Sequence, residues 1–286
     1  MVTPTKYPIM VIGGAEDKVG NRTILTAFFD SAGGAEATIG IVPCASQEPS
    51  VVGARYHRIF TQMGAKNVHV LDIRRPHECD EDRWLKLLDR CTGVFLSGGD
   101  QVRLFEFIHG STFLRFIKER LHIGTLVLAG TSAGAAVMGE KMISGGSSGE
   151  SPNRSLVDLM DGLAIIPELL VDQHFHNRNR MARLISAIAA HPGKLGIGID
   201  EDTCAAFSGD GTFEVIGKGT ITIIDPQDLT HTNYSSSSAT SPLSLHDLRL
   251  HVLNEGDHYD YRRHSVHRTS FGVISKLKAR LRNTHS

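Results

Sequence analysis

Short apolar runs rich in β-branched residues alternate along the chain with longer stretches whose apolar positions recur at helical spacing. Residues 7–12, 37–42, 68–71, 93–96 and 125–129 read as buried strands, with helical candidates between them. That alternation predicts right-handed β-α-β crossovers, and hence an α/β fold: a mainly parallel sheet flanked by helices on both faces. Three strand ends open into glycine-rich exits, at Gly13-Gly14-Ala15-Glu16, Gly98-Gly99-Asp100-Gln101 and Gly130-Thr131-Ser132-Ala133-Gly134. Ligands of such sheets sit beyond the carboxyl ends of the strands, so the site is expected where these exits meet.

From 195 to 225 the rhythm changes to closely spaced strands with a hairpin signal at Ser208-Gly209-Asp210-Gly211, which predicts an antiparallel extension of the sheet. The serine-rich stretch 233–242 is expected to be a polar loop. After Asp260 no acidic residue follows, while Arg262, Arg263, Arg268, Lys276, Lys278, Arg280 and Arg282 accumulate. The expected organisation is one domain over 1–260 and a basic, solvated tail over 261–286.

Composition narrows the function classes. The chain has 286 residues, 41% of them hydrophobic, which is enough for a substantial core. Thirty Lys and Arg against 31 Asp and Glu leave a formal charge of -1, so no overall field recruits nucleic acid or an anionic membrane. Neither a secretory leader nor an apolar run of the roughly 18 residues that cross a bilayer is visible, and the expected location is the cytoplasm. Cys44, Cys79, Cys91 and Cys204 form no C-x-x-C pair and are expected to be reduced structural thiols.

The G-x-S-x-G run falls between an apolar strand and a small-residue helix start, the arrangement that exposes a nucleophilic serine on a strained turn. Ser132 then needs a base, and His174 in Asp172-Gln173-His174-Phe175-His176 follows the strand-like residues 169–171 and so lies at a strand end. A metal site built on Asp172, His174 and His176 competes with this reading, but no further ligand motif accompanies it, and no metal or cofactor is expected. Two acids compete to orient the base: Glu201, directly after the strand 195–199, and Glu150 in a glycine-rich loop. The strand end favours Glu201. The amide of Ala133 and a second amide from Gly99 are the expected oxyanion donors. Arg178, Arg180 and Arg183 enter a helix just beyond the base and suit capture of substrate carboxylates.

Together, these motifs resemble the cyanophycinase family of serine peptidases, related to dipeptidase E and more distantly to the class I glutamine amidotransferase fold. The resemblance runs from about Ile9 to Leu253 and rests on Gly13-Gly14-Ala15-Glu16-Asp17-Lys18, Gly98-Gly99-Asp100-Gln101, residues 128–135, residues 172–180 and Gly198-Ile199-Asp200-Glu201-Asp202-Thr203. It implies Ser132 as nucleophile, His174 as general base and acid, and Gln101, Asp172, Gln173, Arg178, Arg180 and Arg183 in substrate binding. Either Glu201 or Glu150 completes the triad. The implied substrate is cyanophycin, a poly-aspartate backbone with arginine joined through each β-carboxyl, and the implied assembly is a homodimer. An aspartyl or isoaspartyl dipeptidase acting on small peptides, and a binding module without turnover, are the alternative functions.

Overall fold

The computed structural model describes residues 7–149 and 151–267. Five strands build the parallel core: β1 (Ile9–Ile12), β2 (Thr38–Val42), β3 (Asn67–Val70), β4 (Gly93–Leu96) and β5 (Val127–Thr131). They lie in the order β1-β5-β4-β2-β3, every neighbouring pair parallel. Successive residues of a strand face opposite ways, so Met10 and Ile12 enter one buried cluster and Val11 the other. Helices α1 (Thr23–Ser31) and α2 (Pro49–Gln62) cover the first face with Phe28 and Phe60. Helices α3 (Asp82–Arg90), α4 (Gln101–Ile108) and α5 (Thr112–His122) cover the second with Leu88, Leu104 and Phe113. This is the doubly covered α/β sheet that the alternation predicts.

After β5 come the one-turn helix α6 (Ala133–Ala136) and a two-stranded ribbon of β6 (Lys141–Gly146) and β7 (Val157–Asp161). The chain continues through β8 (Leu169–Gln173), α7 (Met181–Ala190), β9 (Leu195–Ile199), β10 (Thr203–Phe207), β11 (Thr212–Gly217) and β12 (Ile221–Asp225). Small strands β13 (His231–Thr232) and β14 (Leu245–His246) pair with each other, and β15 (Arg249–Leu253), β16 (His258–Asp260) and β17 (Ser265–His267) follow.

The single antiparallel extension expected over 195–225 is in fact divided between two sheets. Strands β10 and β11, joined by β16 and β17, extend the main sheet antiparallel from β1. Strands β9 and β12 instead belong to a four-stranded sheet ordered β15-β12-β9-β8, in which β8 and β9 are parallel. The glycines of β9 explain the preference: a Cβ on Gly198 would lie 2.5 Å from the Phe175 ring, and one on Gly196 2.9 Å from Ile188. Phe175 and α7 pack directly on that strand, and the short segment 200–202 carries the chain across to the first sheet.

The stretch 233–242 is tied down, since Ala239 accepts a hydrogen bond from the Ser155 amide at 2.9 Å and Arg154 stacks over the Tyr234 ring at 5.0 Å. Ser265–His267, inside the stretch expected as a basic tail, pairs with β16; the rest of that stretch, from Arg268, lies outside the described residues. All four cysteines are free and buried.

Candidate active site

The carboxyl end of β5 delivers Ser132 on a turn with φ 53° and ψ −107°, a conformation rarely adopted by residues with a side chain. The turn is possible because its flanks are bare. A Cβ on Gly130 would lie 2.2 Å from the Gly134 carbonyl oxygen, and one on Gly134 2.5 Å from that of Leu96. Backbone pairing to β1 fixes the turn, with the Ser132 amide donating to the Ile12 carbonyl at 3.0 Å.

His174 lies just past β8, also at positive φ (49°), and its amide donates to the Gly13 carbonyl at 2.9 Å. Its Nε2 is 2.9 Å from Ser132 Oγ and its Nδ1 is 2.7 Å from Glu201 Oε1. Serine, histidine and glutamate thus form one hydrogen-bonded chain drawn from three strand ends. Glu201 is held in turn by Asn177, whose Oδ1 accepts the Glu201 amide at 3.0 Å. Glu150 lies outside the described residues.

The sequence pattern of peptidase family S51 matches residues 9–215, which contain all three of these groups. The chain belongs to peptidase family S51. The cyanophycinase of Trichormus variabilis is 56% identical over 281 residues, covering 98% of this chain and 93% of that protein. The cyanophycinase of Geminocystis herdmanii is 54% identical over 256 residues, covering 90% of this chain and 94% of that protein. A crystal structure of a peptidase from an acI-B1 Actinobacterium shares the fold, with a TM-score of 0.64 at 19% identity over 91% of this chain and 99% of the other.

The electrostatics of this S51 site favour a neutral imidazole. Burial lowers the His174 pKa from its ordinary value, and the positive charges of Arg178 and Arg180 push the same way against the opposing pull of Glu201. A neutral ring with Nδ1–H directed at Glu201 leaves Nε2 free to accept the serine proton.

The other residues expected in the site fall into two groups. Gly98 and Gly99 lie against the serine: a Cβ on Gly98 would be 3.2 Å from that of Ser132, and Gly99, at φ 146°, passes so close to Ala45 that a Cβ would meet its carbonyl oxygen at 2.2 Å. Ala133 is buried immediately after Ser132. Arg178 is exposed and forms no side-chain ion pair among the described residues. The remaining groups are engaged within the protein. Gln101 Nε2 donates to the carbonyls of Ser144 at 2.8 Å and Ile143 at 3.2 Å, tying α4 to β6.

Arg183 and Asp172 are both buried and face each other, with Nε donating to Oδ2 at 2.9 Å and Nη2 to Oδ1. Arg180 bridges Asp172 Oδ1 at 3.3 Å and both oxygens of Gln173. Burial pushes the Asp172 carboxyl up, against the pull of the two guanidinium groups, and lowers Arg180 to about 10, still a cation at neutral pH. The three arginines therefore do not act as one exposed cluster. His176 turns away from His174 to meet Thr222 Oγ1 at 3.2 Å, because β8 ends at Gln173 and the alternation expected of an extended segment stops there.

Two contributors escaped the reading of the sequence. Gly14 lets the imidazole lie flat against the loop after β1, since a Cβ there would sit 2.4 Å from His174 Cε1. The Gly13-Gly14 exit signals a close approach, but nothing local says that a histidine makes it. Asn177 gives no distinguishing signal within its arginine-rich run.

Proposed function

We propose that this serine-type S51 peptidase hydrolyses cyanophycin, releasing β-Asp-Arg dipeptides through an acyl-enzyme on Ser132. The observation that carries the reading is the unbroken hydrogen-bonded chain from Ser132 through His174 to Glu201. As Ser132 Oγ attacks the carbonyl of an Asp-Asp backbone bond, its proton passes to His174 Nε2, and Glu201 steadies the imidazolium through Nδ1–H. The amides of Ala133 and Gly99 receive the developing oxyanion. His174 then returns the proton to the departing amine. Water, deprotonated by the same imidazole, hydrolyses the ester and frees Ser132.

The charges beside this machinery suit the polymer named by the relatives. Each of its units presents a guanidinium and a carboxylate, and the exposed Arg178 is the cation offered to the carboxylate of an arginyl branch. Gln101, Gln173 and Arg180 are assigned to the wall of the substrate groove. Asp172 and Arg183 act beneath them as the ion pair that sets the position of Arg180. A nearly neutral enzyme also matches a nearly neutral zwitterionic polymer. No described helix is long and apolar enough to cross a membrane, and a cytoplasmic homodimer without nucleic-acid partners completes the proposal.

A fluorophosphonate probe followed by peptide mapping tests the nucleophile, and release rates from cyanophycin and from short Asp-containing peptides test the substrate. Labelling at Ser132 with dipeptide release from the polymer is the expected result. Faster turnover of short peptides than of polymer would move the assignment to a dipeptidase, and an unlabelled Ser132 would remove the mechanism.

A further inference from the structure

Glu16 is a buried acid that the hydrolytic steps above do not use. It is 2% exposed and stands in the loop after β1, beneath the serine turn. Thr131, the residue before Ser132, donates its hydroxyl to Glu16 Oε2 at 2.6 Å, and Tyr56 on α2 donates its hydroxyl to Oε1. Lys18 Nζ lies 3.0 Å from the same Oε1. Burial, reinforced by the neighbouring carboxylate, holds the Tyr56 phenol well above its ordinary pKa, so it remains a donor. A buried charge is costly unless its acceptor sites are filled, and here two hydroxyls and an ammonium fill them.

The end of β1 and the loop that carries Glu16 hold Ser132, His174 and the neighbour of Glu201. The Ile12 carbonyl takes the Ser132 amide at 3.0 Å, and that of Gly13 takes the His174 amide at 2.9 Å. The Gly14 carbonyl takes the amide of Asp202, next to Glu201, at 2.9 Å, and the Asp17 amide donates to Asp202 Oδ1 at 2.8 Å. On the side of β1 and its loop, all of these contacts are made by backbone groups. Among the described residues, the carboxylate of Glu16 is the side chain that hydrogen-bonds the Thr131 hydroxyl, next to Ser132, which sits at a strained φ and needs outside restraint to stay there.

We propose that Glu16 is a positioning residue for hydrolysis, acting through the Thr131 hydroxyl to fix the strained turn that aims Ser132 Oγ at His174. The proposal rests on the assignment of Ser132 as nucleophile. It requires that the hydroxyl and the carboxylate act as a unit, and that their loss slows the chemical step without weakening substrate binding.

The test compares Thr131→Val, Thr131→Ser, Glu16→Gln and the double variant Glu16→Gln/Thr131→Val. Two readouts are taken: steady-state dipeptide release, and the second-order rate of fluorophosphonate labelling of Ser132, which needs no cyanophycin. Thr131→Val, nearly isosteric, is expected to lower both kcat and the labelling rate about 10- to 100-fold while KM holds, the scale of a small misalignment of reacting atoms. Thr131→Ser keeps the hydroxyl and is expected to recover most of the rate. The double variant is expected to be no slower than the slower single variant.

A folded Thr131→Val protein that works and labels at the wild-type rate would overturn the proposal, as would losses that multiply in the double variant. Should Glu16→Gln fail to fold, the two Thr131 variants decide alone. Wild-type labelling without release from cyanophycin would sink only the substrate assignment, and the labelling rates would still decide the role of Glu16. An unlabelled wild-type Ser132 would remove both.

Discussion

Ser132 Oγ and His174 Nε2 lie 2.9 Å apart although 42 positions separate the two residues in the sequence. The approach is made by backbone, not by long side chains: both residues hang from consecutive carbonyls at the end of β1, those of Ile12 and Gly13. The sheet therefore sets where the two backbones meet, and the side chains packed around them set the final aim of the hydroxyl and the ring.

Glu201 holds the imidazole through a single contact at Nδ1, so its removal should be severe. Glu201→Gln is expected to lower kcat about 10³- to 10⁴-fold with KM little changed, because the amide no longer fixes the tautomer or stabilises the imidazolium. Asn177→Ala, which only frees the Glu201 backbone amide, should cost far less. Steady-state kinetics of both variants, beside Glu150→Gln, identify the orienting acid; a Glu201→Gln enzyme near full activity would transfer that role to Glu150.

The depressed His174 pKa sets the acid side of the pH profile. The base must be neutral, and a lowered value keeps it neutral further into acid, so kcat/KM should fall only below the ordinary histidine pKa of about 6.5. Arg178→Gln removes one of the charges that lowers it and should move this limb upward. The linkage sign agrees: the unfolded chain binds the proton more readily, so the associated stability is complete above the ordinary value and is lost as pH falls through the folded one. A limb above about 6.5 would contradict the assignment.

The buried pair of Asp172 and Arg183 should behave as structure and the exposed Arg178 as recognition. Asp172→Ala leaves a guanidinium uncompensated in the interior and is expected to cost about 3–5 kcal/mol, read as a lower denaturant midpoint. Arg178→Ala should leave that midpoint unchanged and raise KM for the polymer. Equal stability of the two variants would show that the pair does not restrain the fold.

Gly14→Ala tests the bare wall behind the base. The added methyl would overlap the His174 ring, and φ at that position is 100°, so the ring must shift away from Ser132. Dipeptide release should fall about 100-fold, with His174 displaced in a crystal structure of the variant. Wild-type turnover would show that the ring has room to spare.

The parts of this site that the sequence discloses are those fixed by strand ends. Ser132, His174 and Glu201 each lie within two residues of the end of a buried strand, and the chain cannot reposition a residue that leaves such a strand by one or two steps. The parts it conceals depend on tertiary approach. Helical spacing makes Arg180 and Arg183 neighbours, but only the packing of α7 on the second sheet decides that Arg183 turns inward to Asp172. The pairing of β8 with β9 is likewise hidden, because a whole helix intervenes and the sequence of β9 reads equally well as an edge of the first sheet. Glu16 carries no local sign of burial: its acceptors are filled by a hydroxyl 115 residues away and another 40 residues away.

The most direct measurement is β-Asp-Arg release from purified cyanophycin by wild-type protein and by Ser132→Ala, with thermal denaturation recorded for both. Release by the wild type, a loss of at least about 10⁴-fold in the variant and a preserved unfolding transition are expected if Ser132 is the nucleophile. A folded Ser132→Ala protein that still frees the dipeptide at the wild-type rate would contradict it.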